Sequence, residues 1–394
     1  MSDWLWFLIP VALLPVAAAS GWLVAHRARR RETPNGANGL RPDYFRGINY
    51  LLNEQPDKAI EAFIRVLEVD SETVETHLAL GNLYRRRGEV DRAIRIHQNL
   101  IARPSLSLQQ RHEALLELGQ DYMSAGLLDR AENLFQELCE TESFKVPAWK
   151  QIVSIYEQEK DWEEAIRAAR ELEAVSGDKQ AKVIAHYYCE RALIAETDEL
   201  LSDALQAIRL ALAADPGCVR ASLLEAQLHI GNGDYEAALS ACKRVEAQDA
   251  SFLPEIIGHV TLCFRELRRT SELVAYLESL VEKFDVVAAT LSLADLKRDQ
   301  LGVAEAARFV GEDLRTRPSV RGFDYLLKLE LESRDVDGRE QIETMRNLTE
   351  HLIKNRVEYQ CGHCGFPAKS LHWQCPACKH WSTIKPIQGV DGER

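Results

Sequence analysis

A sequence repeat of about 34 residues restricts the fold of this 394-residue chain more than any other feature. Its clearest members are a tyrosine and an alanine nine residues later. The tyrosines follow one another at intervals of 34, 38 and 34 residues, at Tyr50, Tyr84, Tyr122 and Tyr156. A glycine stands three residues before each of the first three, at Gly47, Gly81 and Gly119. The alanine frame continues further and reads Ala59, Ala93, Ala131, Ala165, Ala204, Ala238, Glu272 and Ala306.

This pattern is typical of the tetratricopeptide repeat, in which each unit is a pair of antiparallel helices. Small residues let the two helix backbones approach each other, and the tyrosine fills the gap to the next unit. Pro216 and Pro318 stand where second helices of repeats end, because proline removes a helical hydrogen bond. The sequence therefore predicts an all-α superhelical solenoid over residues 43–355, with eight repeats up to about residue 320 and one or two further helices.

The concave face of such a solenoid is lined by first helices and is a surface for peptides or protein domains. In the second repeat this frame presents Asn82, Arg85 and Arg86 towards the groove, and we predict them as partner-binding residues. The alternative is that each is an ordinary solvated polar residue on a helix. The seventh repeat carries Glu272 where alanine is usual, so we expect its packing to be less regular.

Two C-x-x-C pairs near the C-terminus predict a metal site. Cys361 and Cys364 form the first pair, and Cys375 and Cys378 form the second after ten intervening residues. This spacing brings four thiolates to one point at tetrahedral geometry, and Gly365 can take the left-handed conformation that closes the first turn. A pair of disulfides is disfavoured because the other cysteines are scattered singly, as in a protein of a reducing compartment: Cys139, Cys189, Cys218, Cys242 and Cys263.

Four thiolates leave no open coordination position, so the predicted site is structural. We expect zinc there, although iron can bind the same donors in vitro. The module, over residues 356–388, is too small to fold on apolar burial alone. Its apolar side chains are predicted to form a small core and a docking face: Phe366, Leu371, Trp373 and Trp381. The histidines around the cysteines are not expected to be ligands: His363, His372 and His380.

Two other roles for this module stay open at this point. An iron-bearing electron carrier of the rubredoxin type uses the same ligand set, but its two pairs are normally further apart than ten residues. A nucleic-acid zinc ribbon would use the nearby Lys369, Lys379 and Lys385. The formal net charge of −13 argues against general nucleic-acid binding, which requires a basic surface.

The N-terminal residues 1–26 are predicted to be a transmembrane anchor. The stretch from Trp4 to Ala25 is uncharged and long enough to cross a bilayer as a helix. Four arginines follow it within Arg27–Arg31, which places the rest of the chain in the cytoplasm by the positive-inside rule. The alternative is a cleaved signal peptide, but such a peptide carries positive charge before its apolar core, and here only Asp3 is charged. Residues 27–42 are expected to be a basic, flexible tether.

No constellation of catalytic residues is found along the sequence. There is no H-E-x-x-H motif and no phosphate-binding loop. Gly231-Asn232-Gly233 resembles a fragment of a dinucleotide-binding loop, but it lies between two predicted helices rather than after a strand. We therefore expect a protein that is not an enzyme.

The order of an anchor, tetratricopeptide repeats and a four-cysteine module resembles the lipopolysaccharide assembly protein B family (LapB or YciM) of Gram-negative bacteria. The most specific stretches are residues 80–83, 87–98 and 381–387. The resemblance implies that the four cysteines are rubredoxin-type metal ligands. It also implies an inner-membrane protein, held by a single transmembrane pass, that regulates lipopolysaccharide synthesis.

The partners follow from the same resemblance. Members of the family bring the deacetylase LpxC to the membrane protease FtsH for degradation, and the transmembrane helix meets FtsH and the membrane regulator PbgA (YejM). No nucleic-acid partner is expected. The alternative function is a general scaffold for lipopolysaccharide synthesis and export complexes, with no role in proteolysis.

Overall fold

The structure, a computed structural model, describes residues 42–69, 73–333 and 339–387. The predicted anchor and all of the predicted tether except its last residue lie outside these ranges. Among the described residues, no helix combines the length and the apolar character that a membrane span requires.

Eighteen helices precede a small sheet in the described part of the chain. The helices are α1 (Pro42–Leu52), α2 (Pro56–Val69), α3 (Val74–Arg86), α4 (Val90–Ile101), α5 (Leu108–Ser124), α6 (Leu128–Cys139), α7 (Lys145–Glu159), α8 (Trp162–Ser176), α9 (Ala181–Thr197), α10 (Leu201–Ala214), α11 (Val219–Gly231), α12 (Tyr235–Gln248), α13 (Leu253–Glu266), α14 (Thr270–Phe284), α15 (Val287–Leu301), α16 (Val303–Thr316), α17 (Val320–Ser333) and α18 (Arg339–Asn355). A short 3-10 helix, Ala250–Phe252, leads into α13.

The described residues divide into two compact units, with the boundary between Leu127 and Leu128. The described part of the first unit contains α1–α5, and that of the second contains α6–α18 and the sheet. In each unit successive helices pack against one another in the manner of stacked hairpins. This arrangement confirms the predicted all-helical tetratricopeptide-repeat solenoid. Fully buried apolar side chains form the core of each unit, for example Phe63 and Leu100 in the first and Ile208 and Val260 in the second.

The turn between the two helices of a repeat explains the offset between tyrosine and alanine. In the second repeat the N–H of Glu89 donates to the carbonyl of Tyr84 at 2.9 Å, and Gly88 is left-handed with φ 81°. These are the features of a Schellman motif, which ends a helix tightly. Five residues after Gly88, Ala93 is fully buried in α4. The spacing from Tyr84 to Ala93 is therefore one capping turn plus the first turn of the next helix.

Seven turns in the described residues share this geometry, with left-handed residues of φ between 55° and 81°. These residues are Glu54, Gly88, Gly126, Lys160, Glu199, Gly233 and Arg268. In each case the residue five positions later is fully buried: Ala59, Ala93, Ala131, Ala165, Ala204, Ala238 and Leu273.

In the seventh repeat the buried position lies one residue later than the sequence pattern predicts. Five positions after Arg268 stands Leu273, which is fully buried, whereas Glu272 is half exposed and pairs with Arg269. The prediction that Glu272 takes the alanine position is therefore wrong. One extra residue precedes this turn, and the turn before Ala306 is one residue shorter because Gly302 adopts a different conformation, with φ 97° and ψ 167°.

The module after α18 contains β1 (Tyr359–Cys361), β2 (Pro367–Ala368) and β3 (Ile384–Pro386). The strands form an antiparallel sheet in the order β2-β1-β3. Tyr359 lies opposite Ala368 on one side and Pro386 on the other. The central strand thus brings the first cysteine, Cys361, next to Ile384 near the C-terminal end of the module.

Gly81 lies where the two helices of the second repeat, α3 and α4, approach each other closely. A Cβ atom on Gly81 would lie 2.3 Å from Nε2 of His97, and His97 is fully buried with Nδ1 2.5 Å from Oδ2 of the equally buried Asp121. The imidazole therefore has no room to move. We expect Gly81→Ala to lower the free energy of unfolding by about 2–3 kcal/mol, as overpacking of a core does. Urea denaturation followed by circular dichroism measures this.

The matched control is Gly231→Ala, at the end of α11, where an added Cβ meets nothing within 4 Å. This change should be neutral or should stabilise the fold by up to about 1 kcal/mol, because alanine is a better helix former than glycine. Equal effects of the two substitutions would contradict the packing argument.

Candidate metal centre and its docking surface

The two C-x-x-C segments fold into two equivalent turns. In the first, the N–H of Gly365 donates to the carbonyl of Cys361 at 2.9 Å, and Gly365 is left-handed with φ 77°. In the second, the N–H of Lys379 donates to the carbonyl of Cys375 at 2.8 Å, with φ 60° at Lys379. The predicted conformation of Gly365 is confirmed, and the second turn reaches it without glycine.

The turns place four sulfur atoms around one point. All four Sγ atoms lie within 4.8 Å of one another, with 3.8 Å between Cys361 and Cys378 and 3.7 Å between Cys364 and Cys375. At a zinc–sulfur distance of about 2.3 Å, the edges of a regular tetrahedron are about 3.8 Å long. The sulfurs are therefore already spaced as a tetrahedral four-thiolate site requires.

The surroundings of Cys361 favour the thiolate that a metal binds. Its Sγ lies 3.3 Å from Oγ1 of Thr383 and 3.5 Å from the N–H of Cys364. The Thr383 hydroxyl is the largest influence that lowers the pKa of the Cys361 thiol to about 5, and the N–H groups of Cys364 and His363 act in the same direction against the effect of burial. A lowered pKa is the direction that favours metal binding, because the thiolate is the form of cysteine that binds a metal.

The neighbouring histidines lie outside the four-sulfur cluster. His363 and His380 stack on each other with ring centroids 3.9 Å apart, and both are exposed. A ring nitrogen of each approaches Cys378 closely enough for a ligand group, but Nδ1 of His380 contacts the carbonyl of Cys378 at 2.9 Å. Since four thiolates complete a tetrahedron, these imidazoles form an outer layer around the second turn.

The predicted apolar side chains divide into a core and a docking face. Phe366 and Leu371 pack with the buried Tyr359, Ala368 and Ile384 inside the module. Trp373 and Trp381 pack against the buried cores of the repeats, and Leu371 contacts one of these cores as well. With so few apolar residues inside, we expect the module to depend on the metal site to fold.

Trp381 is the centre of the docking surface. Its indole Nε1–H donates to Oε1 of Glu157 at 2.6 Å, and the hydroxyl of Tyr187 donates to the same oxygen at 2.7 Å. Trp381 stacks on His186, with ring centroids 5.1 Å apart. The guanidinium of Arg220 lies 5.8 Å from the ring on a third side, and Arg220 pairs with Glu190 at 2.7 Å.

Further contacts extend the docking surface along the repeats. Trp373 stacks on Phe252, with centroids 5.5 Å apart and an angle of 19°. The hydroxyl of Tyr359 donates to Glu255 at 2.7 Å. Ion pairs join Lys385 to Asp249 at 2.8 Å and Arg321 to Glu358 at 2.6 Å. The module thus contacts residues from α7 to α17 and fixes these repeats relative to one another.

The residues predicted to bind partners lie in the first unit. The guanidinium of Arg85 is largely buried and bonds to Asp121 and Glu117, both at 2.6 Å, so it joins α3 to α5. Asn82 is half-buried and Arg86 is exposed. Partner binding by all three stays a prediction, and Arg86 has the most accessible side chain of the set.

Several parts of the chain match models of known protein families. A family model described as a rubredoxin metal binding domain matches residues 359–386, which include all four cysteines. Tetratricopeptide repeat models match residues 76–109 and 189–251. Lipopolysaccharide assembly protein B of Escherichia coli strain K12 is 39% identical over 381 residues, which cover 96% of this chain and 98% of that protein.

The chain belongs to the lipopolysaccharide assembly protein B family. The protein of that name from Haemophilus influenzae is 32% identical over 389 residues, again with 96% of this chain and 98% of that protein covered. The resemblance inferred from residues 80–83, 87–98 and 381–387 is therefore confirmed. With the matched domain and the sulfur geometry, this member of the family carries a four-cysteine, rubredoxin-like metal-binding site.

Removal of one ligand tests the metal site. Cys361→Ser or Cys378→Ser should abolish metal content and unfold residues 359–387, because three thiolates no longer close the tetrahedron. Cys139→Ser is the matched control, since Cys139 lies outside the module on α6. Elemental analysis of the purified proteins measures the bound metal. Full metal content in both ligand variants would refute the assignment.

Trp381→Ala separates docking from metal binding. The substitution leaves the four sulfurs in place but leaves Glu157 and Arg220 without their indole partner. We expect normal metal content together with faster proteolytic cleavage between α18 and β1, because the module is released from the repeats. Unchanged resistance to proteolysis would show that Trp381 does not hold the module.

The buried His186, which stacks on Trp381, is expected to make the stability of the protein depend on pH. Burial, and then the charge of Arg220, lower the pKa of its imidazole from 6.5 to about 3. Below pH 6.5 the unfolded state takes up a proton that the folded state does not, so stability falls as pH falls through this window. Between pH 7 and 5 we expect His186→Gln to reduce the loss in free energy of unfolding by up to about 2 kcal/mol. Identical pH dependence of the two proteins would contradict the role of His186.

Proposed function

We propose that this protein is a non-enzymatic inner-membrane adaptor in the regulation of lipopolysaccharide synthesis, which brings the deacetylase LpxC to the membrane protease FtsH. The main support is its membership of a family whose curated members, 39% and 32% identical, are named for lipopolysaccharide assembly. In this proposal residues 1–26 hold the chain in the membrane and meet FtsH and the regulator PbgA (YejM). Residues after 26 lie in the cytoplasm and hold LpxC.

Two properties of the described structure support an adaptor rather than an enzyme. Tetratricopeptide repeats provide an extended surface for proteins, and the docked module fixes the repeats from α7 to α17 in one arrangement. A tether then raises the effective concentration of a bound client near a membrane protease without any chemical step. Arg86, exposed at the end of α3, and Asn82 are the candidate client contacts in the first unit.

We propose zinc as the metal and a structural role for it. Cys361, Cys364, Cys375 and Cys378 would hold the ion, and their spacing fits a closed tetrahedron. A bound zinc ion would offset two of the four thiolate charges and cross-link the two turns. Because all positions are taken by sulfur, the residues of the site bind no substrate, and their task is to keep Trp373 and Trp381 on the repeats. Iron can occupy the same donors, and it would give a coloured protein.

The half-life of LpxC in cells tests the proposal. The full-length protein should shorten that half-life, whereas a variant with residues 1–26 deleted should bind LpxC in vitro but fail to shorten it. Circular dichroism of the truncated protein, together with its retained binding, controls for folding.

Each other outcome of this experiment has a distinct meaning. Equal regulation by the truncated protein would refute tethering by residues 1–26. An LpxC half-life that is the same with and without the full-length protein would refute delivery to a protease. That result would favour the scaffold for lipopolysaccharide synthesis and export complexes.

A further inference from the structure

We propose that a cavity between the fourth and fifth helix pairs binds a peptide segment that carries arginine or lysine next to an apolar side chain. The cavity has a volume of about 560 Å³. It is formed by the turn between α7 and α8, the C-terminal part of α9 and the beginning of α10. It lies on repeat residues and includes none of the metal module.

The charge of the cavity wall selects a cationic ligand. Five carboxylates line it: Glu159, Asp161, Glu163, Asp198 and Asp203. Only Lys160 and Arg191 oppose them there, and the guanidinium of Arg191 lies over the ring of Tyr188 at 5.9 Å. Within the described ranges none of the five carboxylates belongs to an ion pair, unlike the paired acidic groups of the neighbouring helices, such as Glu164 with Arg167.

Burial and nearby negative charge both act on the carboxyl group of Glu159, which lines the cavity. Burial, and then the nearby carboxylates of Glu132, Asp129 and Asp161, raise the pKa of its carboxyl group. A bound cation would relieve the repulsion. The carboxylates of the wall do not converge as a ligand group for a metal ion, since the described residues bring such groups together only around the cysteines. A long, flexible cationic side chain fits this distribution better than a metal ion.

The apolar part of the wall indicates a peptide. Ile194 and Leu200 are 51% and 49% exposed, although both are large hydrophobic residues. The aliphatic stem of arginine or lysine covers such side chains while its charged end reaches carboxylates. Trp162 also lines the cavity, and its ring is more than nine-tenths buried and stacks on Tyr187 with centroids 5.8 Å apart. An apolar side chain next to the arginine or lysine in one peptide would cover the exposed apolar residues further, so a peptide segment fits this wall better than a small cation.

This inference extends the adaptor proposal by giving the chemistry of one bound segment. Its readout is peptide binding in vitro rather than client half-life, so either proposal can fail without the other. The probe is a fluorescein-labelled peptide, Gly-Leu-Arg-Arg-Leu-Gly, titrated with full-length protein in non-ionic detergent and followed by fluorescence anisotropy. The reference peptide carries citrulline in place of both arginines, which keeps the shape and removes the charge.

We expect saturable binding of the arginine peptide and at least about tenfold weaker binding of the citrulline peptide. The triple variant Glu163→Gln, Asp198→Asn, Asp203→Asn should weaken binding by at least about tenfold, and Ile194→Ser should weaken it by several-fold. The control, Glu137→Gln, Glu266→Gln, Glu278→Gln, removes the same charge from exposed residues that do not line the cavity, and it should change affinity by less than about twofold.

Three results would overturn the proposal. One is the absence of saturable binding to the unsubstituted protein. Another is an equal loss of affinity in the control variant, which would mean that the peptide responds only to overall negative charge. The third is unchanged affinity in both the triple variant and Ile194→Ser, which would place the peptide elsewhere.

Discussion

The four-sulfur cluster is the constraint on which the rest of the second unit depends. The sulfur atoms bring together two turns that share few apolar contacts of their own, with sulfur–sulfur distances of 3.7 and 3.8 Å. Trp373 and Trp381 lie on segments next to the second turn and are joined by backbone pairing, in which the N–H of Ser382 donates to the carbonyl of Trp373 at 2.8 Å. We therefore expect this single metal site to control contacts that reach from α7 to α17.

The docking surface contains buried polar and charged groups, so its stability is sensitive to the loss of any one partner. Glu157 accepts hydrogen bonds from both Trp381 and Tyr187, and Arg220, 5% exposed, lies between Glu190 and the indole. A buried charge is costly when its partner is removed, so an undocked module leaves the repeats with unsatisfied groups. The same contacts, when complete, set one relative arrangement of the helix pairs. In the proposed adaptor, this fixed geometry would present one defined surface to a client.

The features that depend on short spacings between residues could be predicted from the sequence. The offset from Tyr84 to Ala93 is set by one turn, and the two C-x-x-C segments each form within five residues, so both were visible without a structure. Glu272 was misplaced because an inserted residue and a shortened turn cancel over two repeats, which leaves the overall period unchanged. Leu273 would have been found by asking which position in that segment is apolar.

Docking was predictable only in outline. The presence of Trp373 and Trp381 in a small module indicated a docking face, but their partners lie more than 100 residues away and follow no spacing rule. Glu157, His186 and Arg220 look like ordinary helix residues until the fold brings them together. Arg85 is the opposite case: the repeat frame pointed it at the groove, and the fold uses its guanidinium on Asp121 and Glu117.

Hydrogen exchange on the full-length protein and on Cys361→Ser tests most directly whether the metal site controls the repeats. The account predicts that the substitution removes protection from amides of β1–β3 and also lowers it in α9 and α11, which contact Trp381, while α3 and α4 keep theirs. Loss of protection confined to the module, with α9 and α11 unchanged, would contradict it.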